Sequence, residues 1–468
     1  MIHHADPRDA VILLTAAVAI VTLGRNAAYA VRMWRQPALL ERERAAVAEH
    51  ASGAPDDGFA IHFVVPAFQE VDALPTTIAA LRQAIDRSRF RATITIVTSI
   101  MDEPSQPGEV RTRAVAERLC TENPAFRVVI DHNTNPSMAS AFNVGMGAVA
   151  ADTTYDRSRT YVVAYNADST AAPDSVQALG DTILSGEFPR VLQLNHSSLR
   201  NVDEMRGPSG WYAQGAAYYQ TRWALGFEFD LHRRNSATSR PGPLGHSYHL
   251  KGQGLVLRLD TAVEVHGLST ETPCEDLELG FRLSLLDIPV VPVPVPVLED
   301  TESPITAAAV TAQKRYWFSG MADVVNFHRL HRAQREGRTF RYELQRAPSL
   351  YRSAGCFLLG PVPYWVLIVG GFVLGLPWLA AIPLFNAVGT TWLIRRALRR
   401  LGGAHPRLRW RELITVPAAV LVWSLSRNIG PIQYLVSIAR APDRATRLAA
   451  TQRRHIEESL AAPRTDRP

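Results

Sequence analysis

The chain has 468 residues, 47% hydrophobic and 20% charged, with a formal net charge of +6. That size admits two or three domains, and that balance excludes both a bare membrane bundle and a disordered chain. The positive charge is almost all arginine, Lys251 and Lys314 being the only lysines, and no nucleic-acid-binding signature accompanies it. Cys120, Cys274 and Cys356 are odd in number and far apart, which argues against a disulfide framework and fits a reducing compartment. No C-x-x-C or H-E-x-x-H zinc spacing occurs.

The first element is the uncharged run "AVILLTAAVAIVTLG" at 10–24. With its flanks it is long enough for a membrane anchor. A signal peptide is the rival reading, but Asp6 and Asp9 outweigh the single arginine before the run. Arg25, Arg32 and Arg35 follow it, so the positive-inside rule puts the next block in the cytoplasm. That block, residues 56–345, alternates between two patterns. Apolar β-branched runs occur at 61–68, 92–100, 126–131, 160–166 and 190–195, with helical patterns at 74–88, 109–120, 137–150 and 173–184 between them. Strand–helix alternation at this spacing predicts βαβ units and a mostly parallel sheet, whose ligands sit beyond the carboxyl ends of the strands. "PAFQE" (66–70) and "YNADST" (165–170) fall at two such ends. No G-x-G-x-x-G or Walker A sequence follows a strand, and "GMGAVA" (145–150), inside a helical pattern, reads as packing.

Beyond this block the chain turns apolar. Ser353 to Ile394 contains no charge over 42 residues, enough for two spans with a turn near "LGLPW" (374–378). A further apolar region at 413–439 is interrupted by Arg427 and Asn428 and contains Pro417 and Pro431. It reads as a fourth span, a re-entrant segment or an interfacial helix. Seven arginines lie in 395–412 and four more in 441–455; beside apolar runs they point to a membrane surface. The expected division is an anchor and linker at 1–55, a cytoplasmic α/β domain at 56–345, a membrane region at 346–440 and a basic tail at 441–468. The expectation is a multi-pass protein of the cytoplasmic membrane.

Four short motifs carry the chemistry. They are Pro66-Ala67-Phe68-Gln69-Glu70, Asn166-Ala167-Asp168, Cys274-Glu275-Asp276 (followed by Leu277, Gly280 and Arg282) and Gln313-Lys314-Arg315-Tyr316-Trp317. In this order they resemble the P-A-Y-N-E, D-x-D, T-E-D and Q-x-x-R-W motifs of membrane-embedded family 2 glycosyltransferases of the GT-A fold, the group of cellulose and hyaluronan synthases. The resemblance spans about 60–320 and the flanking membrane segments. It implies a mostly parallel α/β sheet with transmembrane helices at both ends. It also implies inverting transfer of a sugar from a nucleotide-sugar donor, a UDP-sugar in first place, to a glycan or lipid-linked acceptor at the cytoplasmic face.

In that reading Asp276 is the base, beside Glu275, although acids also suit the first turn of any helix. Asp168 is the ligand of a divalent cation, Mg²⁺ or Mn²⁺, as oxygen donors suggest. Pro66, Phe68, Glu70, Asn143, Asn166 and Asp168 form the donor side. Gly252, Gly254, Gln313, Arg315 and Trp317 face the acceptor or diphosphate. The chain departs from the pattern in four places. Asn166 replaces the first acid of D-x-D, Met138 stands where the family has a lysine, and Tyr316 holds the arginine position with Arg315 one residue early. The second strand leads into "TSIMDEPSQ" (98–106), where Asp102 or Glu103 is the acid available to read the base. These losses leave an alternative, a non-catalytic subunit of an envelope-polysaccharide assembly system. The segment 200–250, rich in Trp, Tyr, Arg and Gly, reads either as an acceptor element or as a loop with a helix resting on the bilayer.

Overall fold

The computed structural model describes residues 7–53, 58–102, 111–123, 125–152, 154–237, 250–295, 299–322, 354–401 and 412–440. Glu103, the stretch 238–249, the end of the α/β domain and the basic tail lie outside the described residues.

The alternation of strand and helix produces a seven-stranded sheet in the order β3-β2-β1-β4-β8-β6-β9. Its strands are β1 (Ala60–Ala67), β2 (Ala92–Ser99), β3 (Phe126–Asp131), β4 (Thr160–Ala164), β6 (Val191–Gln193), β8 (Leu255–Arg258) and β9 (Val290–Pro292). β1, β2, β3 and β4 run parallel, and β8 is antiparallel to both β4 and β6. Period-two alternation sends Ile61, Phe63, Val65 and Ala67 of β1 into one core and Val64 into the other. Burial of one such aliphatic or aromatic side chain contributes about 1.5–3 kcal/mol. One face packs on α2 (Ala73–Asp86), α3 (Thr112–Thr121) and α5 (Ser175–Ser185); the other packs on α4 (Met138–Ala150), α8 (Leu259–Glu264) and α9 (Glu275–Leu285). Gly145 of the "GMGAVA" run lets α4 approach the sheet, since a Cβ there would lie 2.4 Å from Val64 Cγ1.

A second, three-stranded sheet, β5 (Ser169–Thr170), β10 (Glu299–Thr301) and β7 (His196–Ser197), stands over the end of β4. Between β7 and β8 run α6 (Gly207–Trp223), a π-helical turn at Ala224–Glu228 and α7 (Phe229–Ala237). α10 (Ala307–Ala322) follows β10, and the last described helices are α11 (Val362–Val373), α12 (Ala381–Arg400), α13 (Glu412–Ser426) and α14 (Ile429–Arg440).

The first apolar run is part of one 45-residue helix, α1 (Pro7–Ala51). Its first half exposes Leu13, Leu14, Ile20 and Val21. Its second half docks on the sheet domain, with Arg44 3.3 Å from Asp174 and Arg89 donating to the Ala51 carbonyl at 2.8 Å. The residues expected to be a linker are thus a helical strut. Among the described residues four helical segments, at Arg8–Ala51, Ala354–Val373, Pro377–Arg400 and Glu412–Arg440, are long and apolar enough to cross a membrane. Trp34 of α1 stacks on Trp392 of α12 at 5.6 Å, with Arg396 3.5 Å over the Trp34 ring, an aromatic–cationic pair typical of a membrane interface. The last segment breaks at Arg427-Asn428, so that α13 lies against α6 while α14 lies against α10.

Candidate active site

The site is built on strand ends joined by one loop. Pro66 near the end of β1, and Phe68, Gln69 and Glu70 beyond it, are half-buried. Gln69 takes a left-handed φ of 57°, and the Gln69 N–H donates to Asp102 Oδ1 at 3.1 Å. Asp102 also accepts from Thr112 Oγ1 at 3.2 Å and from the Arg113 N–H at 3.3 Å. Asp102 therefore ties the β1 turn to the start of α3, which places an acid beside Phe68.

Beyond β4, Asn166 and Asp168 are half-buried, and Ala167 is buried. The loop 250–254, which precedes β8, stitches this end to the base motif. The Asn166 N–H donates to Gln253 Oε1 at 2.6 Å, and the Gly252 N–H donates to Asp276 Oδ2 at 3.0 Å. Gly254 holds the turn at φ 71°, where a Cβ would come within 2.7 Å of Leu194 Cβ, and its N–H donates to the Ala164 carbonyl at 2.9 Å. Neighbouring residues of one short loop thus bind the two acidic motifs.

Asp276 is in the first turn of α9, where the Leu277 N–H donates to its Oδ1 at 2.7 Å. Burial, and next the charge of Glu275, push its carboxyl up to about 7. Arg282, 3.0 Å from Glu278, donates to the carbonyls of Val265 and Gly267 and fixes the loop entering α9. Asp168 is raised to about 6, first by burial and then by Glu302, with Arg200 opposing. Arg200 lies 3.9 Å from Glu302 and donates to the Asp168 carbonyl. Glu302, next after β10, is the acid that sequence reading missed. It belongs to no motif and reaches Asp168 only because β10 pairs with β5. Asp168 and Glu302 supply the carboxylate oxygens that suit a hard divalent cation, beside the paired strands β5 and β10. Such an ion needs few protein acids when phosphate oxygens complete its shell. Among the described residues no cluster of three His, Cys, Asp or Glu side chains occurs.

The fourth motif lies on α10. Gln313 Oε1 accepts from Lys314 Nζ at 3.2 Å and from Gln220 of α6 at 3.4 Å. Lys314 is buried with its ammonium 3.5 Å from the Trp317 ring. Burial, then the nearby Lys251, pulls its pKa well below the usual lysine value. Lys251 pairs with the buried Glu228 at 2.6 Å, so both lysines of the chain border the site. Tyr316 donates to the Pro273 carbonyl, one residue before the base motif. α10 presses on that motif at Gly320, where a Cβ would lie 2.2 Å from Cys274 Sγ.

Two expected contacts fall elsewhere. Asn143 spends its amide on the backbone of Leu268, donating from Nδ2 and accepting at Oδ1, both at 2.8 Å. It clips the loop before α9. The Arg315 backbone N–H packs against α14, 2.8 Å from where a Gly430 Cβ would be. The one-residue offset turns the two side chains about 100° apart on a helix, and it is the Tyr316 hydroxyl that reaches Pro273. Asp276, Gly252, Gln253, Asn166 and Asp168 are brought together; Gln313 and Trp317 join through α10.

The chain is similar to a mannosyltransferase from Pyrobaculum calidifontis in complex with GDP-Man and Mn²⁺, at 15% identity and a TM-score of 0.44 over 89% of this chain and 99% of that one. TarS from S. aureus matches at 10% identity and a TM-score of 0.39, covering 82% and 92%. Glucosyl-3-phosphoglycerate synthase from Mycobacterium tuberculosis, in complex with Mn²⁺ and UDP-Glc, matches at 16% identity and a TM-score of 0.25, covering 53% and 73%. No family model and no curated protein matches the chain.

Proposed function

We propose that the chain is a membrane glycosyltransferase that moves a sugar from a nucleotide-sugar donor to an acceptor hydroxyl, with inversion, at the cytoplasmic face. One observation carries this reading: Gly252 and Gln253, consecutive in the chain, bond Asp276 and Asn166 beyond the carboxyl end of β4. Asp276 takes the proton of the acceptor hydroxyl as that oxygen bonds to the anomeric carbon. The bond from that carbon to the diphosphate breaks on the opposite face, which inverts the centre. A carboxyl held at about 7 suits this step near neutral pH, where a base should be free yet basic enough to work.

Asp168 and Glu302 would hold the Mg²⁺ or Mn²⁺, which supplies neutralising charge for the leaving diphosphate. Pro66, Phe68, Glu70 and Asn166 border the nucleotide, and Asp102 is the acid placed to select the base. Gln313 and Trp317 face the acceptor, whose sugar or headgroup suits an aromatic surface.

The test is nucleoside diphosphate release by the full chain in lipid, with Mn²⁺ or Mg²⁺ and a panel of UDP-, GDP- and dTDP-sugars. Release from one donor, dependent on the ion and lost in Asp276→Asn, is the expected result. No binding and no release with any donor would replace this reading with that of a non-catalytic assembly subunit.

A further inference from the structure

Away from the strand ends, cations gather where α1, α6 and α13 meet. Arg427, just past the end of α13, is only 9% exposed. Its Nη1 donates to the Tyr219 hydroxyl, and its guanidinium lies 4.7 Å from the Tyr219 ring. Its Nε has no hydrogen-bond partner. Arg222 approaches the same ring at 5.5 Å and the Tyr29 ring at 3.8 Å. Arg25 adds a like charge toward Arg427. Among the described residues no carboxylate pairs with Arg25, Arg222 or Arg427.

A cation suits the C-terminal end of a helix, which accounts for Arg427 in part. It does not account for two guanidinium groups sharing one tyrosine, nor for a buried guanidinium whose only side-chain partner is neutral. Burying such a charge is costly without an anion. The place of the cluster narrows the anion. α1 and α13 belong to segments apolar enough to span, and Asn428, next to Arg427, donates to the Leu358 carbonyl in a third such segment at 3.2 Å. The cluster also connects to the site. Tyr219 lies 6.5 Å from the Trp423 ring, Trp423 lies 5.9 Å from Lys314 Nζ, and Lys314 sits beside Gln313 and Trp317.

We propose that Arg222, Tyr219 and Arg427 bind the phosphate of a lipid acceptor, with its alkyl chains against the spanning helices and its hydroxyl-bearing headgroup directed along Trp423 and Lys314. This rests on the transferase reading and names its acceptor class. A phosphate carries up to about two negative charges and matches guanidinium geometry; a neutral glycan would leave these charges unanswered. Basic pockets between membrane helices are the usual seats of lipid headgroups.

The test omits any sugar donor. The full chain in neutral detergent is titrated with dioctanoyl phosphatidic acid, dioctanoylglycerol or inorganic phosphate, read by the fluorescence of Trp423 and its neighbours. Saturable binding of the phosphatidic acid is expected, at least about tenfold tighter than either control, since a charge-assisted hydrogen bond contributes about 1.5–3 kcal/mol. Arg427→Gln and Arg222→Gln should each weaken it about tenfold, and Arg427→Lys should recover part of the loss. Arg222→Gln, at a half-buried position, keeps the test valid where Arg427→Gln does not fold. Equal binding by parent and both glutamine variants overturns the proposal. Dioctanoylglycerol binding as tightly shows an alkyl groove only, and inorganic phosphate binding as tightly shows a free-anion site; either also overturns it. Lipid binding that survives while sugar transfer fails with every donor would refute the transferase reading and leave this site standing.

Discussion

The carboxyl ends of β1 and β4 and the helix α10 border the same site but are held in opposite ways. The strand ends are fixed through backbone N–H groups: Asn166 to the Gln253 side chain, Gly254 to the Ala164 carbonyl, Gln69 to the Asp102 carboxylate. α10 is fixed by its side chains. Tyr316 reaches Pro273, Lys314 lies under Trp317, and Gly320 is pressed on Cys274. Residues expected to meet substrate there are partly absorbed into packing. Where the backbone builds the site, substitutions should change chemistry and spare the fold. Where side chains build it, the two effects should mix.

The strongest challenge to this contrast is Asp276→Asn. A positioned base contributes about 10²–10⁴ in rate, so kcat in the nucleoside diphosphate assay should fall by about 10³ while donor affinity, read by calorimetry, stays within about threefold. A fall in donor affinity of the same size as the fall in kcat would mean that Asp276 holds the donor and not the acceptor proton. Glu302→Gln comes next. Loss of one acid at a cation site weakens metal use by about 10–100-fold, so the Mn²⁺ concentration for half-maximal activity should rise by about that factor, with kcat largely recovered at saturation. An unchanged Mn²⁺ requirement would reduce Glu302 to a partner of Arg200.

A smaller effect concerns pH. The base must be ionised to act, and its carboxyl stands at about 7. Activity should therefore fall as pH drops through about 7 and be fully present above it. Burial is the larger cause and Glu275 the second, so Glu275→Gln should move the acid limb to lower pH, by less than about one unit for a neighbouring like charge. A limb that does not move in this variant would assign it to another group, of which Asp168, raised to about 6, is the first candidate.

The same contrast decides what the sequence could disclose. Strands buried on both faces read as apolar β-branched runs, and ligands collect at their carboxyl ends by topology alone. "YNADST" and "PAFQE" were accordingly placed from residues 61–70 and 160–170. The loop "LKGQG" disclosed its glycines but not that Gln253 would bridge to Asn166, because that bond spans 87 positions. Glu302 was hidden for the same reason: its position depends on a two-residue pairing between β10 and β5. On the membrane side, helices apolar on most faces carry no period that tells lipid from protein contact. The break at Arg427-Asn428 could be read, but not the docking of α14 on α10. The resemblance assigns Asn143 to the donor side, and only the fold shows both its amide atoms taken by Leu268.

The mildest substitution separates the two modes of construction most cleanly. Tyr316 occupies the position where the resembled motif has arginine, and its hydroxyl donates to the Pro273 carbonyl, two residues before Glu275. Tyr316→Phe keeps the ring that packs near Cys274 and Met321 and removes only that bond, leaving a carbonyl at the entrance of α9 without its donor. The net cost of one such bond is about 1 kcal/mol. Thermal unfolding should show a loss of that order, and kcat should drop a few-fold because α9 carries Asp276, while the KM for the donor stays unchanged. A donor KM raised tenfold with full stability would instead mean that the tyrosine hydroxyl meets the diphosphate as the arginine does in the resembled motif. In that case α10 would belong with the strand ends, as a surface that faces substrate, and the distinction between the two regions would fail at the residue where the sequence departs furthest from the motif.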